Sequence, residues 1–262
     1  FGYAVGFGGP SGVGAAVDVA GDDRYQCGDT YPSSYNAGDA PDGNPGNPQF
    51  QYECFGLGTG SGKRVFTNDP EQPAYGLAGG LGILIDLDGG DRYRSANFSQ
   101  GCGYFFGVGL KLDMGGNDEH AAARYGQAAG AHYGAGLFID YAGDDRYTST
   151  GPFYNGGTAW DVSVMLGIDA GQGNDVYDFR RSDGLGLAAH RAWSLFIEEG
   201  GQDRYLVPNG MGAATDNSMS GFFDLAGDDE YAVVPRSDPA GSVRRGNRQT
   251  LFEQAGGLFV DR

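Results

Sequence analysis

Acidic side chains recur along this sequence in two rows that flank a short, glycine-bearing turn. The shared pattern is an apolar run, an acid, two residues, Gly, a polar residue, Asp, one residue and Tyr. The first row holds Asp18, Asp86, Asp113, Asp140, Asp169, Glu198 and Asp224, with Asp261 at its end. The second row holds Asp23, Asp91, Asp118, Asp145, Asp175, Asp203 and Asp229. Calcium prefers carboxylate and carbonyl oxygens as ligands, so these rows indicate calcium binding.

The spacing of the second row defines a structural repeat. After a first gap of 68 residues, successive acids lie 27, 27, 30, 28 and 26 residues apart. A fixed period of this length is typical of proteins in which each repeat stacks on the next. The sequence therefore predicts an all-β, right-handed parallel β-helix, a β-solenoid of about eight coils. With coils about 4.8 Å apart, each acid row becomes a column along one edge.

Apolar residues alternate along the run before each first-row acid. The residues one and three positions before the acid are apolar in almost every repeat, as in Ile83 and Ile85 before Asp86. Residues two apart share one face of a strand, so we expect both rows to point into the core. Small residues open each repeat and predict a thin side with close backbone approach. An aromatic row after the second acid is expected to stack: Tyr25, Tyr93, His120, Tyr147, Tyr177, Tyr205 and Tyr231.

The residue two positions before the first-row acid should then point away from the core. An exposed row of large apolar residues is typical of a surface for a protein partner or for self-association. The alternative is that a side loop, residues 237–248, covers the row. Four repeats have Phe at this position and form the predicted partner surface: Phe138, Phe196, Phe222 and Phe259.

The long first gap predicts one inserted loop, residues 26–73, which is rich in Pro. Cys27 and Cys54 lie in this loop, and the sequence is compatible both with a bridge between them and with three free thiols including Cys102. We expect residues 1–262 to form a single solenoid domain. Neither end of the sequence shows a polar cap, which indicates a fragment or an uncapped section of a longer protein or assembly.

One of the acidic turns has a known counterpart. Residues 171–177, GQGNDVY, resemble one nonapeptide of the hemolysin-type (RTX) calcium-binding repeats, and residues 89–93 and 200–205 are weaker matches. The resemblance implies calcium between the turns of adjacent coils. The resemblance covers only the turn, because the family repeats its motif every nine residues, whereas here the motif occurs once in each repeat of about 27 residues. Coils in which Glu119 and Glu230 replace Arg are the expected ion sites. Without metal, the acids would bond to backbone N–H groups and pair with the Arg residues that follow them, Arg24, Arg92, Arg146 and Arg204.

Charge and motifs narrow the function classes. With 34 acidic and 17 basic residues the net charge is −17, which disfavours nucleic acid and anionic membranes as partners. We expect no membrane insertion and no catalysis, since His132 and His190 have no acid partner at a telling spacing in the sequence. The alternative function is a carbohydrate-active β-helix, a polysaccharide lyase or hydrolase, or a sugar-binding module. The expected location is extracellular, at the cell surface or periplasmic.

Overall fold

The computed structural model describes residues 5–28, 30, 52–64, 76–151, 155–232, 245–253 and 256–262. These residues form an all-β solenoid without α-helices, in which the chain passes repeatedly through three parallel sheets. The predicted fold class is therefore confirmed. None of the described residues belongs to a helix long and apolar enough to cross a membrane.

The first sheet is the longest and contains eight parallel strands. In spatial order, with strands numbered along the chain, these are β1 (Val13–Val17), β5 (Leu81–Asp86), β9 (Val108–Asp113), β12 (Ala135–Asp140), β15 (Val164–Asp169), β18 (Trp193–Glu198), β21 (Met219–Asp224) and β24 (Gly257–Asp261). A ninth strand, β23 (Thr250–Glu253), runs antiparallel to β24. The register places every first-row acid from Asp86 to Asp261 directly above the next, as predicted.

Two further sheets complete each coil, and both are parallel. The second sheet follows the acidic turn and contains β2 (Arg24–Cys27), β6 (Arg92–Ser95), β10 (Glu119–Ala122), β13 (Arg146–Ser149), β16 (Val176–Asp178), β19 (Arg204–Leu206) and β22 (Glu230–Tyr231). The third sheet contains β4 (Gly60–Ser61), β8 (Gly103–Tyr104), β11 (Gly130–Ala131), β14 (Thr158–Trp160), β17 (Leu187–Ala189) and β20 (Ala213–Ala214). A separate pair joins β3 (Glu53–Gly56) to β7 (Asn97–Ser99).

The strands of the first sheet turn the opposite face inward from the one predicted. In β5, alternate residues ending at Asp86 are buried, whereas Ile83 and Ile85 are partly exposed. The rows expected in the core therefore lie on the outside of the sheet. The predicted Phe partner surface is wrong, because all four rings are buried in the core: Phe138 (4% exposed), Phe196 (6%), Phe222 (0%) and Phe259 (0%).

Close contact with the third sheet explains this choice of face. In most coils the residue four positions before the acid is small, and its backbone lies against the backbone that leads into a strand of the third sheet. A Cβ added to Gly82 would lie 2.0 Å from the carbonyl oxygen of Thr59, and one added to Gly136 would lie 2.3 Å from that of Ala128. Only the row that contains the small residues fits there. The acids lie four positions further along each strand, so their side chains point to the same face. The predicted thin side is thus present, and it fixes the acids inside.

Two sets of aromatic rings fill the corner beneath the acids. The predicted aromatic column is confirmed, with neighbouring ring centroids 4.8 to 5.0 Å apart from Tyr25 to Tyr231. The Phe rings of the first sheet meet these rings edge-on at 5.5 to 5.7 Å. Edge-to-face pairs of this kind are favourable beyond their burial. The Phe residues are therefore packing partners of the Tyr column.

Part of the predicted inserted loop, residues 26–73, belongs to the solenoid. Strand β3 pairs with β7, and β4 continues the third sheet beside β8. A disulfide joins Cys27 to Cys54, with Cα atoms 5.2 Å apart, and Cys102 is a buried free thiol. Of the two alternatives that the sequence left open, the structure therefore contains the Cys27–Cys54 bridge and not three free thiols. Residues 29, 31–51 and 65–75 lie outside the described residues.

The C-terminal end of the solenoid has a covering strand that the sequence analysis did not predict. Strand β23 pairs with the outer edge of β24. Just before it, the side-chain oxygen of Asn247 accepts a hydrogen bond from the amide of Asp229 at 2.8 Å. Exposed strand edges are commonly covered in this way. Strand β23 therefore covers the outer edge of β24 and is itself the last strand of this sheet among the described residues, whereas membership of a longer protein or assembly stays a prediction.

Candidate metal centre in the acidic corner

Both acid rows line the inside of the corner between the first and second sheets. The first-row acids end the strands of the first sheet, and every one from Asp86 to Asp261 is less than 5% exposed. The second-row acids precede the second sheet, and those from Asp91 to Asp203 are at most 2% exposed. Asp18, Asp23 and Asp229, near the two ends, are partly exposed. Most of the acids predicted at a surface edge are thus enclosed.

The second row forms a continuous hydrogen-bonded ladder between coils. The amide of each Asp donates to Oδ1 of its counterpart in the next coil, at 2.6 to 2.7 Å, from Asp23 through to Asp229. The alternative in which the acids bond to backbone N–H groups is therefore present in the structure. The donor comes from the neighbouring coil, which the sequence did not predict. One oxygen of each carboxylate from Asp91 to Asp229 is used in this way.

Hydroxyl groups of the Tyr column reach the first row. Tyr147 donates to Asp140 at 2.8 Å, and Tyr177 donates to Asp169 at 2.6 Å. Such donors compensate part of the free energy lost when a carboxylate leaves water. The Tyr column therefore has a second role besides packing, which is to hold first-row oxygens in place.

Other carboxylate oxygens in the same corner have no such compensation. Buried polar atoms in proteins are almost always hydrogen-bonded, so each exception needs a physical explanation. A proton shared between carboxylates or a bound cation would both supply one. Within the described part of the chain, the buried oxygens without a hydrogen-bond partner include Oδ1 of Asp113, Asp140 and Asp224, Oδ2 of Asp118, Asp145 and Asp229, and Oε2 of Glu198.

These acids gather into four clusters whose potential ligand atoms lie within 4.8 Å of one another. The donor chemistry fits a hard divalent cation, since three of the clusters offer carboxylates alone. Calcium takes six to eight oxygens, so a bound ion would also need bidentate carboxylates, backbone carbonyls or water. The clusters are Asp113–Asp118–His120–Asp140, Asp140–Asp145–Asp169, Asp175–Glu198–Asp203 and Asp203–Asp224–Asp229.

Burial and mutual repulsion change the acidity of these groups. Burial, followed by the charge of Asp140, raises the pKa of Asp145 to about 9. Burial, followed by the charge of Asp203, raises the pKa of Glu198 to about 11. Burial also raises the pKa of Asp175 to about 8 and of Asp118 to about 7. Without a cation, several of these acids therefore keep a proton at neutral pH.

The first cluster contains its own positive charge. The ammonium of Lys111 is completely buried, donates to Asp113 at 2.9 Å and to Nδ1 of His120 at 3.1 Å, and lies 3.4 Å from the centre of the Tyr93 ring. Burial, followed by the charge of Lys111, lowers the pKa of His120, which favours the neutral ring with Nδ1 as the acceptor. The cluster is therefore the least suited to a metal ion. The signal in the sequence was a single Lys in an otherwise uncharged row.

The Arg residues that follow the second row face outward. Arg92 pairs with Glu119 at 3.5 Å and Arg204 with Glu230 at 2.9 Å, in each case in the next coil. More than half of each side chain is exposed, so these pairs add little to stability. The predicted interpretation of Glu119 and Glu230 is corrected, since they pair with Arg outside and add no charge to the core. The Asp/Arg pairing alternative does not neutralise the buried acids.

Two His–Asp pairs were missed by the sequence analysis. Nδ1 of His132 lies 2.7 Å from Asp161, and Nε2 of His190 lies 3.2 Å from Asp216. Both pairs lie between the third and first sheets, and each joins residues one coil apart. Burial lowers the pKa of His132. A spacing of one repeat, rather than a short local spacing, was the signal that would have found them.

Comparison with known proteins adds no assignment. No protein family matches the sequence, and no curated protein and no solved structure matches it either. The likeness to hemolysin-type calcium-binding repeats therefore rests on the turn residues alone, while the structure shows an acidic parallel β-solenoid with buried carboxylate clusters that could hold a metal ion.

Proposed function

We propose that this chain is a structural β-solenoid module that binds calcium ions between the carboxylates of its acidic corner. The observation that carries the proposal is the set of buried carboxylate oxygens without a hydrogen-bond partner. Without a cation, each cluster either holds protons or carries unpaired buried charge at a cost of roughly several kcal/mol, so the folded state gains from a cation most where the pH removes those protons. Bound calcium would thus stabilise the stacked coils.

The cluster of Asp140, Asp145 and Asp169 is the best candidate. All three side chains are at most 4% exposed, and two of their oxygens, Oδ1 of Asp140 and Oδ2 of Asp145, lack hydrogen-bond partners within the described part of the chain. Two further clusters, which share Asp203, have the same acid-only composition. We therefore propose up to three ions per chain and exclude the cluster that contains Lys111.

Location and docking belong to the same proposal. The Cys27–Cys54 disulfide supports an oxidising location, extracellular, at the cell surface or periplasmic. Docking to a protein partner or to a second copy is also proposed, although the Phe residues cannot provide the surface. The carbohydrate-active alternative loses support, because the acid rows are closed off from a polymeric substrate.

Two adjacent substitutions separate calcium binding from general effects of charge. Asp145→Asn keeps the Oδ1 that accepts the Asp118 amide and removes charge from the cluster. Asp144→Asn changes a neighbouring carboxylate that is exposed. Thermal melting at pH 8 with calcium or with EDTA, together with equilibrium dialysis of calcium, measures both variants against the unchanged protein.

The proposal predicts that calcium raises the melting temperature of the unchanged protein and of Asp144→Asn. Asp145→Asn should melt close to the unchanged protein in EDTA, because the pKa of about 9 leaves Asp145 mostly protonated at pH 8, yet it should bind at least one calcium ion fewer. If calcium leaves the melting temperature of the unchanged protein at its EDTA value and no ion is retained in dialysis, protons neutralise the core and the proposal is wrong.

A further inference from the structure

The outside of the first sheet is an apolar surface that spans all eight parallel strands. We call it the outer face and define it by three rows of residues. The row nearest the acids is Val17, Ile85, Leu112, Ile139, Ile168, Ile197, Phe223 and Val260. The middle row is Ala15, Ile83, Leu110, Leu137, Leu166, Leu195, Gly221 and Leu258. The third row is Val13, Leu81, Val108, Ala135, Val164, Trp193 and Met219.

No position in these three rows carries a charged side chain. This composition is unusual for a surface, because a sheet with one solvated face normally alternates apolar with polar residues. Several members are strongly exposed, including Val13 (74%), Val164 (52%), Trp193 (61%) and Met219 (55%). Val17 (59%) and Val108 (39%) are exposed as well, and most of the other members are partly exposed.

The outer face is large enough for a stable interface. Eight strands, each about 4.8 Å wide, and five residues along each strand cover about 38 Å by 17 Å, or roughly 650 Å² in projection. Side-chain relief raises the accessible area above this value. Standard protein interfaces bury about 800 Å² on each partner, whereas monomers rarely expose apolar patches above about 600 Å².

The relief of the outer face is complementary to itself. The side chains of Phe223 and Leu195 cover Gly221 in the middle row, and a groove of 610 Å³ lies beside them, lined by Val164, Trp193, Met219, Phe223 and Phe252 among others. Phe252 of β23 pairs in register with Leu258 and projects on the same side, 84% exposed. The face thus carries both bulky apolar ridges and a groove of matching character.

We propose that the outer face packs against the outer face of a second copy of this chain. A two-fold contact places the same patch on both sides, so Trp193 and Phe252, which line the groove of each copy, pack against the groove of the other. Two sheets packed face to face form a core about 10 Å thick in β-sandwiches, and this contact has the same geometry. The net charge of −17 would favour a basic partner, but the outer face itself carries no charge that could attract one.

Sedimentation velocity of the unchanged protein and of three single variants tests this contact. Trp193→Lys and Phe252→Lys place a charge in the contact at exposed positions. Leu225→Lys is the control, because Leu225 is 40% exposed but lies in the turn after a first-row acid. Circular dichroism and melting curves of each variant confirm that it is folded.

The unchanged protein and Leu225→Lys should sediment as a dimer of twice 27.5 kDa. Trp193→Lys and Phe252→Lys should be folded and weaken dimerisation by about thirtyfold or more. An unchanged protein that stays monomeric up to about 100 μM, or a dimer that both face variants leave intact, overturns the inference. Neither result bears on calcium, because the acid clusters lie on the opposite side of the sheet.

Discussion

The ammonium nitrogen of Lys111 lies 2.9 Å from Oδ2 of Asp113, and both side chains are completely buried. In this coil the fold itself supplies the positive charge that we propose a divalent cation supplies in the later coils. The pair also explains why a basic residue occupies a row that holds Phe in four other coils. The Phe rings pack on Tyr rings, whereas Lys111 lies on the face of Tyr93.

Replacing this buried cation should be strongly destabilising. Lys111→Met leaves the Asp113 carboxylate buried without its counter-charge, and we expect a loss of about 3 to 5 kcal/mol in the free energy of unfolding. Lys63→Met, at an exposed position, should cost less than about 0.5 kcal/mol. Urea denaturation at pH 7 measures both. Equal losses in the two variants would show that Lys111 does not neutralise the acid column.

Stability without divalent cations should fall as pH rises. The folded-state pKa is about 7 for Asp118, about 8 for Asp175 and about 9 for Asp145, against an ordinary value of 3.8. A pKa raised on folding means that the folded state binds more protons, so this contribution is complete below the unfolded pKa and is lost as pH rises through the folded value. The window is therefore about pH 4 to 9.

Urea midpoints in EDTA at several values across this window measure the slope. Adding calcium should flatten it, since a bound cation replaces the protons, and the gain from calcium should grow with pH. A midpoint in EDTA that increases with pH would contradict the raised pKa values of the core acids.

Removing a single hydroxyl group should reveal how far the Tyr column supports the acids. Tyr177→Phe keeps the stacked ring but deletes the donor that lies 2.6 Å from Asp169. We expect a loss of about 1 to 3 kcal/mol in the free energy of unfolding. Tyr133→Phe is the matched control, because Tyr133 is 50% exposed. If both variants melt alike, the Tyr hydroxyls contribute only through packing.

Thiol labelling should distinguish the three cysteines. Cys27 and Cys54 are bridged, and burial raises the pKa of the Cys102 thiol, so the native protein should take up no alkylating reagent. Denaturation alone should expose one thiol, and denaturation with reduction should expose all three. Reduction should also lower stability by about 2 to 4 kcal/mol, because the bridge closes a loop of 27 residues. Labelling of the native protein at two sites would exclude the bridge.

The period of the sequence predicted the solenoid, the vertical alignment of both acid rows and the stacked Tyr column. All three depend only on which residues are one coil apart, and the repeat fixes that. The face of each strand was predicted wrongly, because Ile83 and Ile85 are more apolar than Leu84 and Asp86 and were assigned to the core on hydrophobicity alone. Backbone contact at Gly82 decided the face instead, and this packing constraint has no signature in alternation.

The candidate site was predicted only in part, because the repeat fixes which residues stack but not which face of the strand they occupy. The sequence identified the acids and their columns but placed them at an edge, where water would screen their repulsion. Only the structure shows Oδ2 of Asp145 buried without a hydrogen-bond partner within its described residues, and Lys111 inside the column. The pairs of His132 with Asp161 and of His190 with Asp216 have no local spacing that marks them, because each joins residues one coil apart.

We propose that divalent cations lie between buried carboxylates of successive coils. Anomalous diffraction from crystals grown with calcium and then exchanged into terbium, which replaces calcium at oxygen-rich sites, would locate these ions. We expect anomalous peaks within about 2.3 to 2.6 Å of carboxylate oxygens, first among Asp140, Asp145 and Asp169. Crystals that show peaks only at exposed surface acids, with this cluster free of metal, would contradict it.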